Sequence, residues 1–129
     1  MYTVLFADDT LEIRELFCGV LREAGYCVLE AEDGAEALSL ARSHAGAIDL
    51  LITDVSMPRM SGISLRRAFA DSYPATPVLF ISGNPGTSIV GECFLAKPFT
   101  AGDLISTVKE LLATRRFAAA AGRQIRKAC

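Results

Sequence analysis

Charged and hydroxyl side chains that could do chemistry stand directly after apolar runs of strand length. Asp8 and Asp9 follow Y-T-V-L-F-A, Asp54 follows I-D-L-L-I-T, Ser82 follows V-L-F-I, and Lys97 follows C-F-L-A. If these runs are parallel strands, their carboxyl ends meet at one edge of a sheet, where ligands bind in folds of this type. The sequence therefore predicts a pocket that contains carboxylates, an ammonium group and a hydroxyl.

Such a pocket suits a divalent cation and a phosphoryl group. Mg²⁺ prefers oxygen ligands and keeps several waters, so two or three carboxylates meet its needs. A carboxylate can act as a nucleophile and carry a phosphoryl group, and a lysine ammonium can hold a phosphoryl oxygen. Phosphoryl transfer depends mainly on positioning and charge neutralisation, which these side chains can supply.

Alternating strand and helix patterns surround the candidate residues. Strand-like runs cover residues 2–7, 26–31, 48–53, 77–81 and 93–96. Segments with helical spacing lie between the first strands and after the last one. This alternation predicts a single α/β domain of parallel strands joined by right-handed crossovers. We expect a doubly wound, flavodoxin-like sheet of five strands in the order 2-1-3-4-5.

Two threonines and an apolar stripe define the predicted helices further. Thr10 and Thr100 are the expected N-caps of the first and last helices. The inward face of the first helix is expected to carry the apolar residues that recur at helical spacing. These are Ile13, Leu16, Phe17, Val20, Leu21 and Ala24.

Length and composition fit one soluble domain of 129 residues, 51% of them hydrophobic. No apolar run reaches the length of a membrane span, and the N-terminus lacks the pattern of a signal peptide. No C-x-x-C pair is present, which counts against a zinc site. Cys18 and Cys27 stand in apolar settings and are expected to be buried thiols. A reducing, cytoplasmic compartment is therefore expected.

Charge is distributed unevenly along the chain. The net charge is −2, but residues 114–129 carry five basic residues and no acidic ones, and the rest holds 8 basic and 15 acidic residues. The acidic body argues against nucleic-acid binding by this domain. We expect a domain over residues 1–113 and a basic tail or linker over residues 114–129.

The order of these segments resembles the response-regulator receiver domain of two-component and phosphorelay signalling. The matching segments are V-L-F-A-D-D, L-L-I-T-D-V-S-M-P-R-M-S-G, V-L-F-I-S-G and F-L-A-K-P-F, within about residues 2–113. Each segment alone is weak, whereas all four in this order form a specific signal. The resemblance implies that a sensor histidine kinase or a histidine phosphotransfer protein donates a phosphoryl group from a phosphohistidine, with Mg²⁺ as cofactor. It also implies a conformational switch that an unknown downstream protein reads.

The resemblance assigns the chemical roles residue by residue. Asp54 is the implied phosphoacceptor, and the domain would also catalyse its own dephosphorylation. Asp9 would bind Mg²⁺ directly, and Asp8 would bind it mainly through water. Asp54 and the backbone carbonyl of Ser56 would complete the protein ligands. Lys97 would contact the phosphoryl group.

The same resemblance assigns the switch residues. Ser82 is the implied switch hydroxyl, and Phe94 is the aromatic residue that changes rotamer with it. The Lys97–Pro98 peptide bond is implied to be cis. Gly83 is small, as this position must be for the phosphodonor to approach the acceptor.

One departure from the family concerns the segment between the fourth and fifth strands. Only residues 83–92 remain for a loop and a helix, and Pro85 and Gly91 interrupt them. A helix there is expected to have one or two turns at most, shorter than is usual in the family. The short form resembles receivers attached to hybrid histidine kinases, or related stand-alone ones. We therefore expect no dimer through this helix and a mostly monomeric domain.

Other interpretations of the same residues stay open at this point. Asp8 and Asp9 could be N-caps of the first helix, and Phe94 could be a core aromatic. A metal-dependent phosphatase with an aspartyl nucleophile usually carries a second aspartate two residues after it, where this chain has Ser56 following Asp54. A pseudo-receiver that only binds partners is opposed by the complete set of motif residues.

Overall fold

A computed structural model describes residues 1–83 and 93–121, with side chains described as far as Thr114. In these residues the elements are β1 (Thr3–Ala7), α1 (Leu11–Glu23), β2 (Cys27–Ala31), α2 (Gly34–Ser43), β3 (Leu50–Asp54), α3 (Gly62–Ser72), β4 (Val78–Ser82), β5 (Cys93–Ala96) and α4 (Ala101–Ala121). All strand pairs are parallel, and the strand order is β2-β1-β3-β4-β5. The predicted doubly wound α/β sheet is confirmed.

Helices cover both faces of the sheet. Successive residues of a strand point to opposite faces, so Val4 and Phe6 pack with α1 and α4 on one side. Leu5 and Ala7 pack with α2 and α3 on the other side. All five residues of β3 are buried, as expected for a central parallel strand that is covered on both faces. This packing fixes the strands whose ends carry Asp8 and Asp54.

Local sequence signals start and stop the helices. The hydroxyl of Thr100 accepts the backbone N–H of Asp103 at 3.0 Å, and the Asp103 carboxylate accepts the N–H of Thr100 at 3.0 Å. This reciprocal pair satisfies two of the free donors at the start of α4, and the predicted cap at Thr100 is confirmed. Gly25 follows α1 with a φ of 99°, a conformation that favours glycine after a helix end.

The predicted inward face of α1 is partly wrong. Leu16 exposes 58% of its surface, and Ala24 is also exposed. The buried residues of α1 are Phe17, Cys18 and Leu21. Because neighbouring helix residues are roughly 100° apart around the axis, Leu16 points away from the direction that Phe17 takes into the core.

The two cysteines expected to be buried differ. Cys18 is fully buried on α1, and this burial, followed by the charge of Glu30, raises the pKa of its thiol to about 12. Cys27 is exposed, which contradicts the prediction. It begins β2, which stands at one end of the strand order formed by the described residues and so lies at an edge of that sheet. The apolar neighbours of Cys27 in sequence therefore do not enclose it.

Two segments named in the sequence predictions are not among the described residues. The expected short helix lies outside the described residues, because residues 84–92 are not among them, and so does the end of the basic tail, residues 122–129. α4 continues to Ala121, so helix continues past the domain boundary expected at residue 113. In the part of the chain that is described, no helix has both the length and the apolar character to cross a bilayer.

Candidate functional site

The ends of β1, β3 and β5 bring two carboxylates and an ammonium group together. The Nζ atom of Lys97 lies 3.0 Å from Oδ2 of Asp8 and 3.3 Å from Oδ2 of Asp54. The strands β1 and β3 are neighbours, with Ala7 beside Thr53, and the chain winds away from them in opposite directions. The pocket therefore lies at the switch point of the sheet, the usual ligand site in this architecture.

Three aspartates form the acidic part of the pocket. One carboxylate oxygen from each of Asp8, Asp9 and Asp54 lies within 4.8 Å of the others. Asp8 is fully buried, Asp54 is 8% exposed and Asp9 is open to solvent. All of these donor atoms are oxygens. Oxygen ligands are preferred by Mg²⁺ and are less suited to softer metals. The residues present thus fit a magnesium ion, and the site is open to solvent on the side of Asp9.

Asp8 joins the pocket to the start of α1. Its Oδ1 atom accepts the backbone N–H of Thr10 at 2.9 Å, and its backbone carbonyl accepts a hydrogen bond from Arg14 at 2.8 Å. Thr10 occupies the N-cap position, but its side chain makes no capping hydrogen bond. The interpretation of Asp8 and Asp9 as N-caps of α1 is therefore wrong, and the second oxygen of Asp8 faces Lys97.

Burial and charge act against each other in the pocket. Burial raises the pKa of Asp54, and the charge of Asp8 raises it further, while Lys97 and the backbone N–H of Ser56 oppose this rise. For Lys97, burial alone would lower the pKa, but the contacts with Asp8 and then Asp54 outweigh burial and raise it. Lys97 therefore remains an ammonium, and the ionised Asp54 is less stable in the folded chain than in the unfolded one.

The raised pKa of Asp54 predicts that Asp54→Asn stabilises the metal-free protein at neutral pH. A carboxyl whose pKa is raised by folding contributes stability below its unfolded pKa and loses that contribution as the pH rises through its folded pKa. The asparagine variant carries no such charge, so we expect its melting temperature to be a few degrees higher at pH 7. The difference should shrink as the pH falls below the ordinary carboxyl range. Thermal unfolding in a chelating buffer checks this, and an asparagine variant less stable at pH 7 would contradict it.

The remaining predicted site residues lie at or beside the same edge. Ser82 ends β4, is 4% exposed and accepts the backbone N–H of Lys97 through its carbonyl at 2.8 Å. Phe94 is half-buried on the edge strand β5 and does not belong to the core that the described residues form. The Lys97–Pro98 peptide bond is cis. A Cβ on Gly83 would lie 3.8 Å from Cδ of Lys97, an ordinary contact.

The loop after β3, residues 55–61, brings the start of α3 close to the backbone of Asp54. The backbone N–H of Ser56 acts to lower the pKa of the Asp54 carboxyl. The N–H of Gly62 donates to the carbonyl of Val55 at 2.9 Å. A Cβ on Gly62 would fall deep inside contact distance of the Asp54 carbonyl oxygen. Only glycine therefore allows the start of α3 to lie this close to the candidate acceptor.

Sequence reasoning missed an ion pair that holds this loop. Nε of Arg59 donates to Oδ2 of Asp33 at 2.8 Å, and an Nη of the same guanidinium contacts the same oxygen. Arg59 has a positive φ of 67°, unusual for a residue other than glycine. No local pattern marks this pair, because its members are 26 positions apart.

Comparison with known proteins identifies the family. The family described as "Response regulator receiver domain" matches residues 4–109, and the chain belongs to this family. Its sheet order and helices agree with solved receiver structures. One of these is the receiver domain from the hybrid histidine kinase CckA, with 42% identity, a TM-score of 0.77, and coverage of 85% of this chain and 98% of that one.

Sequences similar to this chain occur in proteins of different lengths. The sensor kinase CckA of Brucella abortus (strain 2308) is 35% identical over 117 residues, which are 85% of this chain but only 12% of that protein. The response regulator receiver protein CpdR of the same strain is 32% identical over 119 residues, 87% of this chain and 98% of that protein. The chain is thus similar both to a small part of a kinase and to nearly the whole of a receiver protein.

Proposed function

We propose that this domain accepts a phosphoryl group on Asp54 from the phosphohistidine of a sensor histidine kinase or a histidine phosphotransfer protein, with Mg²⁺ as cofactor. The observation that carries the proposal is the position of Lys97 Nζ, 3.0 Å from Asp8 and 3.3 Å from Asp54. A buried carboxylate beside a fixed cation and a set of oxygen ligands has the features that phosphoryl transfer needs. Membership of the receiver family supports the same conclusion.

The proposed metal ligands are the acidic residues of the pocket and one backbone group. Asp9 and Asp54 would hold Mg²⁺ directly with the backbone carbonyl of Ser56, and Asp8 would reach it mainly through water. When bound, Mg²⁺ neutralises negative charge on the phosphoryl oxygens. The pocket favours such a cation because Lys97 alone does not balance three aspartates.

The proposed transfer is a displacement at phosphorus. An oxygen of the Asp54 carboxylate forms a bond to phosphorus while the bond between phosphorus and the donor's imidazole nitrogen breaks. The electron pair of the broken bond stays with the imidazole. Lys97 contacts a phosphoryl oxygen and holds its charge during the transfer. In the proposed dephosphorylation, the oxygen of a water molecule forms a bond to phosphorus while the bond between phosphorus and the Asp54 oxygen breaks, which releases inorganic phosphate and restores the Asp54 carboxylate.

The proposed output is a changed surface. The hydroxyl of Ser82 would donate a hydrogen bond to the bound phosphoryl group, and Phe94 would change rotamer with it. Phe94 is half-buried on an edge strand, so such a movement would change the shape of the surface. We propose that a downstream protein reads this change, that the domain is mostly monomeric and cytoplasmic, and that it binds no nucleic acid itself.

A direct test is intact-mass measurement after incubation with acetyl phosphate. We expect one phosphoryl adduct in the presence of Mg²⁺ and almost none in a chelating buffer, because the pocket needs the cation to accept more negative charge. A second measurement with a histidine phosphotransfer protein as donor tests the proposed source. A protein that forms no adduct from either donor would contradict the proposed function.

Asp9→Ala is expected to remove most of the thermal stabilisation that Mg²⁺ gives. A ligand that binds only the folded state stabilises it by about 2.7 kcal/mol at 100 times its dissociation constant, which is a shift of several degrees. Asp9 is the exposed member of the acidic cluster, so its removal should disturb folding least. Glu15→Ala, an exposed change on α1, is the matched control. An Asp9→Ala protein that keeps the full shift would place the metal elsewhere.

A further inference from the structure

The loop that joins β3 to α3 contains a strained turn. The N–H of Met60 donates to the carbonyl of Pro58 at 2.7 Å, which closes a three-residue turn around Arg59. The φ of Arg59 is 67°. Three-residue turns with a positive central φ are rare and strained, and arginine has no intrinsic preference for this region. Something outside the turn must therefore hold Arg59 in place.

The side chain of Arg59 supplies that hold. Its Nε and one Nη both contact Oδ2 of Asp33, and Glu32 lies 3.4 Å from the same Nη. Asp33 is itself fixed, because its other oxygen accepts the backbone N–H of Glu36 at 2.8 Å and caps α2. The Asp33 side chain is 1% exposed and that of Arg59 is 65% exposed. The guanidinium thus lies over a buried carboxylate whose other oxygen caps α2.

A steric contact supports the loop at the next residue. A Cβ on Gly34 would lie 2.8 Å from Cβ of Met60 and 2.8 Å from its carbonyl oxygen. The backbone of the loop therefore rests against the first residue of α2. Together with the ion pair, this contact ties the loop to the turn between β2 and α2 and not to α3 alone.

The other end of the same loop touches the candidate acceptor. The backbone N–H of Ser56 lies near enough to the Asp54 carboxyl to lower its pKa, and Ser56 is three positions before Arg59. A shift of the loop would move the Ser56 N–H, and it would also move the Ser56 carbonyl that is proposed as a metal ligand. Strained backbone persists where the surroundings fix it, often beside functional sites.

We infer that the Arg59–Asp33 ion pair positions the backbone of Ser56 for Mg²⁺ binding at Asp54. The inference rests on the proposed function and deepens it. Arg59 and Asp33 are positioning residues, because they contact the loop and the α2 cap and not the reacting groups. The pair acts through geometry, as partners outside the ligand shell commonly do in metal sites.

Arg59→Ala is expected to weaken Mg²⁺ binding by roughly tenfold, the lower end of the range for residues that orient metal ligands. Asp33→Asn should weaken it similarly, since asparagine keeps the α2 cap but loses the charge that attracts the guanidinium. The double variant should lose no more than the worse single variant, because both changes break one interaction. Arg59→Lys keeps the charge without the planar fork and should bind with an intermediate constant. Arg67→Ala, exposed on α3, is the control for a lost positive charge.

The readout is the Mg²⁺ dissociation constant, measured by calorimetry well below the melting temperature, with hydrogen exchange of the Ser56 amide as a second measure. A purely structural role would lower the melting temperature and leave both values of the folded protein unchanged. Constants within twofold of wild type, or additive losses in the double variant, would overturn the inference. If Arg59→Ala does not fold, Arg59→Lys and Asp33→Asn decide the question. If the wild type neither binds Mg²⁺ nor forms the phosphoryl adduct, the proposed function is contradicted. If the wild type forms the adduct and the variants bind Mg²⁺ as tightly as it does, only this inference is contradicted.

Discussion

Asp54→Asn is expected to reduce the phosphoryl adduct from acetyl phosphate and Mg²⁺ to below detection. The asparagine amide has no anionic oxygen, so it cannot act as the nucleophile that attacks phosphorus. The variant keeps nearly the same shape, and at neutral pH it removes a charge that burial disfavours. Loss of the adduct would therefore not reflect loss of the fold. Intact-mass spectrometry, with circular dichroism to confirm folding, makes the measurement.

A matched variant separates the acceptor from other aspartates. Asp71→Asn changes an exposed residue on α3, outside the acidic cluster, and should form as much adduct as wild type. An undiminished adduct in Asp54→Asn would mean that another residue accepts the phosphoryl group. Peptide mapping of that product would then identify the true acceptor.

Gly62→Ala is expected to destabilise the domain strongly. The new Cβ would overlap the carbonyl oxygen of Asp54 and lie 3.1 Å from Oγ1 of Thr53. A backbone carbonyl cannot move aside as a flexible side chain can, so β3 or α3 must shift. Forced overpacking usually costs 1–3 kcal/mol and sometimes more; we expect about 3 kcal/mol, or a melting temperature about 10 °C lower.

The same substitution at another helical glycine should have the opposite sign. Gly19 lies inside α1, and no atom within 4 Å would meet a Cβ there. Alanine is better than glycine in a helix interior by roughly 0.5–1 kcal/mol, so Gly19→Ala should raise the melting temperature. Chemical denaturation of both variants gives the comparison. Equal effects at the two positions would show that the close approach of α3 to Asp54 is not rigid.

The sheet and the position of the pocket could be predicted because both depend on the spacing of apolar residues and on the order of strands and helices along the chain. Five apolar runs separated by helical patterns leave few parallel topologies, and a polar residue at each strand end must then lie at the same edge. This is why Asp8 and Lys97 could be placed together although 89 positions separate them. Strand alternation and chain connectivity carry that information without any knowledge of side-chain geometry.

Features that depend on packing between elements could not be predicted in this way. Leu16 fits the helical spacing of α1, but the direction of the buried stripe is set by how α1 lies on the sheet. Cys27 has apolar neighbours in sequence, yet its place on an edge strand leaves it exposed. The Arg59–Asp33 pair joins two loops that only the finished fold brings together. In each case the missing information is the relative position of whole elements.

The distribution of the pocket over β1, β3 and β5 also bears on how the domain forms during synthesis. A nascent chain that has emerged only as far as β4 contains Asp8 and Asp54 but not Lys97. Pairing β1 with β3 in that chain places two carboxylates near each other without their countercharge, and like charges in a buried site oppose ionisation. Pairing of β5 with β4 then completes the sheet and brings the ammonium group of Lys97 to the pocket in one event. The last strand is therefore expected to stabilise the pocket by supplying its positive charge. In translation intermediates that end before β5, the pairing of the first three strands should be less stable than in the completed domain.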